Sequence, residues 1–259
     1  MNNMLFEKKF LSRSIVEKCI QYYENNDIFF KESEKYFYKK QNLLSKNKIS
    51  YEDMENFIVD TRGSLYTQFY RCRKRKMDLK SCFTDIYFKN SLYIKLNLWS
   101  KSLYTDLIKI LNDVKKENLI LDLRGCGGGY LKQCVDICDL FLPEREIVTL
   151  RYKNKMVTYY SNKKMYNFKH IFILVDENTA SSAEILAYSL YANLNNVYLV
   201  GRKTYGKEFG QDYIFNNKYK FCLVIPSFKW FINNCLIEKI NIIKSDSPLS
   251  TIKFILFST

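Results

Sequence analysis

Two side chains in separate polar turns, a serine and a lysine, could together cleave an acyl bond. Ser181 lies in a turn of small residues at 177–184, and Lys207 lies in a glycine-containing turn at 203–211. A serine hydroxyl becomes a useful nucleophile only when a base removes its proton. A buried lysine can be that base, because burial disfavours the ammonium and lowers its pKa. Taken alone, each turn also fits a simpler interpretation, an ordinary helix N-cap and a solvated lysine.

A third turn, at 124–129, holds four of the eight glycines of the chain. Glycines let a backbone expose its N–H groups, and N–H groups at the start of a helix attract an anion. Two anions fit, a phosphate or the oxyanion of an acyl-transfer intermediate. The phosphate is disfavoured, since the chain has neither GxxxxGK[ST] nor GxGxxG with an acidic residue about 20 positions later.

Two other nucleophile systems are open to this sequence. The single histidine, His170, could complete a Ser-His-Asp triad. It precedes an apolar strand whose other end leads to Ser181, so a structural or surface role is favoured. Cys126 in the glycine turn could act as a thiol nucleophile with His170.

The pattern of apolar residues predicts the elements that position these turns. Helical spacing predicts helices over 102–116, 131–142 and 183–194, and short apolar runs predict strands over 119–123, 171–175 and 197–200. An alternating run over 91–98 predicts a strand with Leu92, Ile94 and Leu96 on one face. Residues 1 to about 60 read as helical, with a helix start at Ser50 and Asp53. Helices between short apolar strands indicate βα units around a buried sheet.

Read together, the three turns resemble those of the C-terminal processing, or tail-specific, peptidases, which are Ser-Lys serine peptidases. The family's glycine turn reads roughly Asp-Leu-Arg-x-Asn-Pro-Gly-Gly, and residues 122–129 here read Asp-Leu-Arg-Gly-Cys-Gly-Gly-Gly. Its nucleophile turn, Thr/Ser-Ala-Ser-Ala-Ser/Ala-Glu, matches residues 179–184. Its base motif, Thr-Phe-Gly-Lys-Gly-x-x-Gln, matches residues 204–211. The resemblance covers roughly residues 83–230.

The resemblance implies a role for each matched residue. Ser181 is the nucleophile, Lys207 its general base, and Gln211 the amide that orients Lys207. The oxyanion hole is formed by backbone N–H groups, namely those of Gly128 or Gly129 and of Ser182. The implied substrate is a protein or peptide, the implied activity is that of a serine endopeptidase, and no cofactor or metal is implied.

The implied fold is α/β, a crotonase/ClpP-like spiral of βα units behind a helical N-terminal segment. The predicted domains are residues 1–82, the helical segment with remnants of PDZ-flanking sequence, and residues 83–259, the catalytic domain. Residues 47–70 resemble the stretch that leads into the family's PDZ domain, and residues 71–91 the stretch that leads out of it. Nothing of about 80 residues lies between them, so a full PDZ domain is expected to be missing.

Three substitutions in the matched turns leave a second function open. Cys126 stands where the family has asparagine, Gly127 where it has proline, and Glu208 where it has glycine. A carboxylate at Glu208 could pair with Lys207 and keep it protonated, or it could point to solvent. The alternative to an active peptidase is therefore a catalytically silent member that binds a peptide or another ligand.

The net charge and the cysteine content limit which other functions the chain could have. The formal net charge is +14, with one dense basic run at 71–76. Nucleic-acid binding stays a third alternative, but no nucleic-acid module surrounds the run, and a lysine-rich solvated surface is favoured. No two of the eight cysteines have CxxC spacing, so a zinc site is not expected. Without a signal-peptide pattern or an apolar run of about 18 residues, a reduced cytoplasmic protein is expected. Homo-oligomerisation stays open.

Overall fold

A computed structural model describes residues 10–72, 85–88, 90–96, 99, 102–113, 116–162, 166–232 and 240–258. The chain divides into two compact units. The first unit comprises Met1–Lys76, Arg151–Lys155 and Phe209–Lys229, and the second comprises Met77–Leu150, Met156–Glu208 and Trp230–Thr259. The domain boundary that the sequence predicts after residue 82 lies outside the described residues.

Helices dominate the start of the chain, and strands and helices alternate after them. In chain order the elements are β1 (Phe10–Leu11), α1 (Arg13–Asn26), α2 (Glu34–Ser45), β2 (Ile49–Ser50), α3 (Tyr51–Thr61), β3 (Gln68–Arg71), β4 (Asp85–Phe88), β5 (Ser91–Lys95), α4 (Leu103–Asp113), β6 (Asn118–Asp122), α5 (Leu131–Phe141), β7 (Glu146–Arg151), β8 (Met156–Tyr160), β9 (His170–Val175), α6 (Ser182–Asn193), β10 (Val197–Gly201), β11 (Phe209–Asn216), β12 (Phe221–Phe231), β13 (Ile243–Lys244) and α7 (Pro248–Ser258).

The first unit packs three helices against antiparallel strands. Its helix α3 begins where the sequence predicted a helix start: the N–H of Asp53 donates to Ser50 Oγ at 3.0 Å, and the N–H of Ser50 donates to Asp53 Oδ2 at 2.8 Å. This reciprocal pair satisfies N–H groups that a helix start leaves without partners. Strand β12 pairs with β11 and with β3, and all of these pairings are antiparallel.

The second unit is built around a mainly parallel sheet with strand order β13-β10-β9-β6-β5-β4. Every residue of β6 is buried, as expected for a strand covered on both faces. Leu121 lies beside Ile173, and Ile173 beside Leu199. This parallel register brings the carboxyl ends of β6, β9 and β10 to one edge of the sheet. The glycine turn at 124–129, the serine turn at 177–184 and the lysine turn at 203–211 follow those three ends.

Most of the predicted elements of the second unit are confirmed, with shifts of one residue at their ends. The strand predicted over 91–98 and the helix predicted over 102–116 are shorter, since β5 ends at Lys95 and α4 ends at Asp113. Leu92, Ile94 and Leu96 are buried on one face, as their alternation predicts, although residues 97 and 98 lie outside the described residues. The predicted helix over 102–116 is seen as α4, with residues 114 and 115 likewise outside. The α/β fold class is therefore confirmed. No helix in the described ranges is long and apolar enough to cross a membrane.

Candidate active site

Ser181 sits in a sharp turn between β9 and α6. Its backbone has φ +57° and ψ −124°, a conformation that residues other than glycine rarely adopt. Such a conformation costs about 1–3 kcal/mol and persists only where surrounding contacts hold it. Two contacts do so here: the N–H of Ser181 donates to Glu184 Oε2 at 2.7 Å, and Thr179 Oγ1 donates to the carbonyl of Leu123 at 2.9 Å. A strained strand-to-helix turn is a common way to present a nucleophilic serine.

The glycine turn lies directly beside the serine turn. The N–H of Ala180 donates to the carbonyl of Cys126 at 3.0 Å, and Ser182 Oγ donates to the carbonyl of Gly129 at 2.9 Å. Gly128 has φ +81°, and a Cβ built on it would lie 2.7 Å from both the carbonyl oxygen of Ala180 and the nitrogen of Ser182. Only glycine fits such an approach. The structure therefore brings the three predicted oxyanion donors close to Ser181.

Cys126 is fully buried at the base of the glycine turn. Trp99 Nε1 donates to its sulphur at 3.0 Å. Burial raises the pKa of Cys126 above its ordinary value of 9.0, although the N–H of Gly128 and the indole of Trp99 act in the lowering direction. A buried, protonated thiol is a weak nucleophile. Cys126 therefore has the environment of a structural residue that fixes the turn.

Lys207 is half-buried and lies in a stretch without regular secondary structure, ahead of β11. Its carbonyl accepts a hydrogen bond from Trp230 Nε1 at 2.8 Å, and its N–H donates to Glu184 Oε2 at 3.1 Å. Burial lowers the pKa of Lys207 while the charge of Glu184 raises it, and the pKa remains below the ordinary value of 10.5. This is the direction that a lysine base requires.

Glu184 connects the serine turn to the lysine turn. The residue is fully buried in the first turn of α6. Its Oε2 accepts from the N–H groups of Ser181 and Lys207, and its Oε1 accepts from Thr204 Oγ1 at 2.6 Å and from the N–H of Gly206 at 2.7 Å. The sequence places Glu184 at the end of the nucleophile motif but does not reveal this role. The Ser-x-x-Glu spacing, which is the signature of a capping box, was the available signal.

Two residues near Lys207 in the sequence occupy different surroundings. The side chain of Glu208 is exposed, and its carbonyl accepts from the N–H of Trp230 at 3.0 Å. The carboxylate whose charge acts on Lys207 is that of Glu184. Gln211 lies on β11 in the first unit, where Nε2 donates to the carbonyl of Tyr66 at 3.3 Å. Its role in orienting Lys207 stays a prediction.

His170 is placed at the start of β9, whereas Ser181 follows the end of that strand. The six residues of β9 separate the two by roughly 16 Å along the strand. The imidazole lies against the rings of Phe172 and Tyr198, with centroids 6.1 and 5.9 Å away. Burial, and then the charge of Lys169, lower the pKa of His170. This placement favours the structural role that the sequence suggested.

The second unit is an α/β domain in which the strained turn at Ser181, the glycine turn and the half-buried Lys207 follow three neighbouring strands of one parallel sheet. The model of Peptidase family S41 matches residues 90–242 of the chain. The chain therefore belongs to peptidase family S41.

Curated relatives of this family match the central part of the chain. The carboxyl-terminal-processing protease of Synechocystis sp. is 35% identical over 119 residues, which cover 44% of this chain and 28% of the relative. The carboxy-terminal processing protease CtpA of Bacillus subtilis is 28% identical over 140 residues, covering 52% and 30%. The matched part of the chain thus spans less than a third of the length of these relatives.

Solved structures with the same fold include one of matching size. A lipoprotein from Streptococcus agalactiae superposes with a TM-score of 0.76 at 19% identity, covering 100% of this chain and 99% of that one. The photosystem II D1 C-terminal processing protease superposes with a TM-score of 0.52 at 18% identity, covering 61% and 43%. At these identities the likeness shows the fold.

Proposed function

We propose that the chain is a serine endopeptidase that hydrolyses peptide bonds of proteins or peptides by a Ser-Lys dyad. Ser181 is the nucleophile and Lys207 is the general base. The observation that carries the proposal is the buried carboxylate of Glu184, which accepts hydrogen bonds from the backbone N–H groups of both residues. A shared acceptor supports the proposal, because it ties the backbone at Ser181 to the backbone at Lys207.

The proposed reaction needs Lys207 as a neutral amine. Lys207 Nζ takes the proton of the Ser181 hydroxyl while Oγ forms a bond to the scissile carbonyl carbon. The resulting ammonium then gives this proton to the leaving amine as the C–N bond breaks. Water hydrolyses the acyl ester on Ser181, again with Lys207 as base. The lowered pKa of Lys207 supports this role, because a larger fraction of the amine is then neutral near physiological pH.

Backbone N–H groups would stabilise the tetrahedral oxyanion. Ser182 is the first residue of α6, and the first N–H groups of a helix have no acceptor within that helix. In the glycine turn, the N–H of Gly128 acts on the sulphur of Cys126, whereas Gly129 is solvent-exposed. Gly129 also pairs with Trp99 in an isolated β-bridge, so the second donor is Gly128 or Gly129. Loss of one such donor typically costs about 10²–10³ in rate.

An active-site serine probe tests the proposal. A fluorophosphonate should label the wild-type chain, and labelling should be lost in Ser181→Ala and in Lys207→Ala. Lys203→Ala is the matched control, because it removes an exposed lysine from the same turn and should leave labelling intact. Mass spectrometry of the labelled peptide should place the adduct on Ser181.

Failure of labelling would favour the silent alternative. If the folded wild-type chain takes up no probe yet binds peptides saturably, the protein is a peptide-binding member of the family and the peptidase proposal is wrong. Binding to DNA or RNA that weakens steeply with salt would instead support the third alternative, which rests on the net charge of +14.

A further inference from the structure

A polar cavity of about 390 Å³ lies in the second unit at the carboxyl edge of the parallel sheet. Its lining includes Lys95, Arg124, Asp176, Arg202, Ser245 and Asp246. A volume of this order accommodates a small molecule rather than a single water. The charged side chains distinguish it from an ordinary crevice and raise the question of which ligand they would bind.

Lys95 is the last residue of β5, and the neighbouring carboxylate on β6 already accepts several hydrogen bonds. Its register partner on β6 is Asp122, which accepts from Tyr93 Oη at 2.5 Å and from Arg124 Nε at 2.9 Å and Nη2 at 2.6 Å. Burial raises the pKa of Asp122, but these hydrogen bonds outweigh it and hold the pKa below its ordinary value. Lys95 is half-buried and has no hydrogen-bond or ion-pair partner within the described part of the chain.

Arg124 adds a second, well-fixed cation to the cavity. Asp122 engages Nε and one terminal nitrogen, which fixes the plane of the guanidinium. Tyr93 also interacts with the guanidinium. Among the described residues, no hydrogen bond is seen from the other terminal nitrogen, Nη1, and a planar fork of this kind suits a carboxylate or phosphate. Arg202 is more weakly held, because it pairs at 3.1 Å with Glu177 where both side chains are largely exposed.

Of the two acidic residues in the lining, Asp176 is occupied and Asp246 is solvent-exposed, and the N–H groups at the nearby helix end are partly occupied. Asp176 Oδ1 accepts from the N–H of Gly125 at 2.9 Å and from the N–H of Asn178 at 3.0 Å, so it serves the local turns. Ahead of α7, the N–H of Ser247 donates to Ser245 Oγ at 3.1 Å. The side chains of Lys95 and Arg124, and not the helix end, therefore give the cavity its capacity to bind an anion.

We propose that this cavity binds a small anion bearing a carboxylate or phosphate group, held by Lys95 and Arg124. The site is separate from the Ser181 turn and goes beyond the proposed peptidase function. Its walls lie at the starts of the three turns: Arg124 and Gly125 begin the glycine turn, Asp176 immediately precedes the serine turn, and Arg202 immediately precedes the lysine turn. A bound anion would thus lie beside the start of each of the three turns.

Isothermal titration calorimetry tests the site with two probes, inorganic phosphate and acetyl-trialanine with a free carboxylate. The titrations use the Ser181→Ala variant at constant ionic strength in chloride, so that peptide turnover plays no part. At least one probe should bind saturably at a ratio of 1:1, and the amidated tripeptide should not bind. The two probes distinguish a phosphate site from a carboxylate site.

Charge variants separate a built site from the general positive field. Lys95→Gln should weaken binding by about tenfold or more, since it removes a charge-assisted contact. Lys95→Arg should restore binding to within about threefold. Lys109→Gln removes the same charge from an exposed position on α4 and should change binding by less than about twofold. If neither probe saturates, or if Lys109→Gln weakens binding as much as Lys95→Gln, the proposal is wrong.

Discussion

Replacing Glu184 by glutamine should separate the two functions of this carboxylate. Glutamine has nearly the same shape but only one acceptor oxygen. That oxygen can serve either the pair formed by Thr204 and Gly206 or the pair formed by Ser181 and Lys207. The amide nitrogen would then face the N–H and O–H donors of the other pair, so two hydrogen bonds to a charged acceptor are lost.

The magnitude follows from those two bonds. A hydrogen bond to a charged group contributes about 1.5–3 kcal/mol, so their loss destabilises the paired turns by about 3 kcal/mol or more. If this destabilisation of about 3 kcal/mol is carried into the transition state of acylation, the acylation rate falls roughly a hundredfold. The variant also removes the charge that raises the pKa of Lys207. The acidic limb of the pH–rate profile should therefore move to lower pH while the maximal rate falls.

The assay is the second-order rate of fluorophosphonate acylation as a function of pH, measured for Glu184→Gln and for a control. Glu177→Gln is the control, because it removes an exposed carboxylate from the same loop, where it pairs with Arg202. The control should keep both the maximal rate and the acidic limb. An acidic limb in Glu184→Gln that stays in place or moves to higher pH would refute the reasoning, as would an unchanged maximal rate.

Two further outcomes follow from the same site. Gly128→Ala should reduce acylation by more than about tenfold, because its Cβ would lie 2.7 Å from two backbone atoms; Gly125→Ala, with φ +73° but no atom within 4 Å, should keep most of the activity. Equal losses in the two variants, measured beside their thermal stabilities, would contradict this difference. In the wild type, the acylation rate should rise with pH through a midpoint below the ordinary lysine value of 10.5, since only the neutral amine of Lys207 is a base. A rate that is independent of pH, or a midpoint at or above that value, would exclude Lys207 from the role.

The sheet and its turns could be predicted because the signals that encode them are local. The apolar run before Asp122 and the alternation around Ile94 each fix a strand within a few residues. Three strands of a parallel sheet must end at one edge, so the loops at 124–129, 177–184 and 203–208 had to lie there. The glycine density and the order of the motifs then indicated the chemistry.

Long-range pairing could not be predicted in the same way. Strand β12 pairs with β3 from the first part of the chain, so residues 221–229 belong to the first unit although they follow the glycine, serine and lysine turns in sequence. Nothing in the composition of either strand specifies its partner. Glu184 was missed for a related reason: two of its four donors lie more than 20 residues away, and they are backbone N–H groups that any residue type can supply.

The two tryptophans of the chain give the glycine turn and the lysine turn an intrinsic fluorescence signal. The indole of Trp99 donates to the thiol of Cys126 in the glycine turn, and the indole of Trp230 donates to the carbonyl of Lys207. Thiols quench indole emission on contact, so the fluorescence of Trp99 should be weak while its indole contacts the sulphur of Cys126. The emission of Trp230 should then dominate the spectrum. Rearrangement of either turn can then be followed by intrinsic fluorescence in the unlabelled protein, with single Trp→Phe variants assigning each signal.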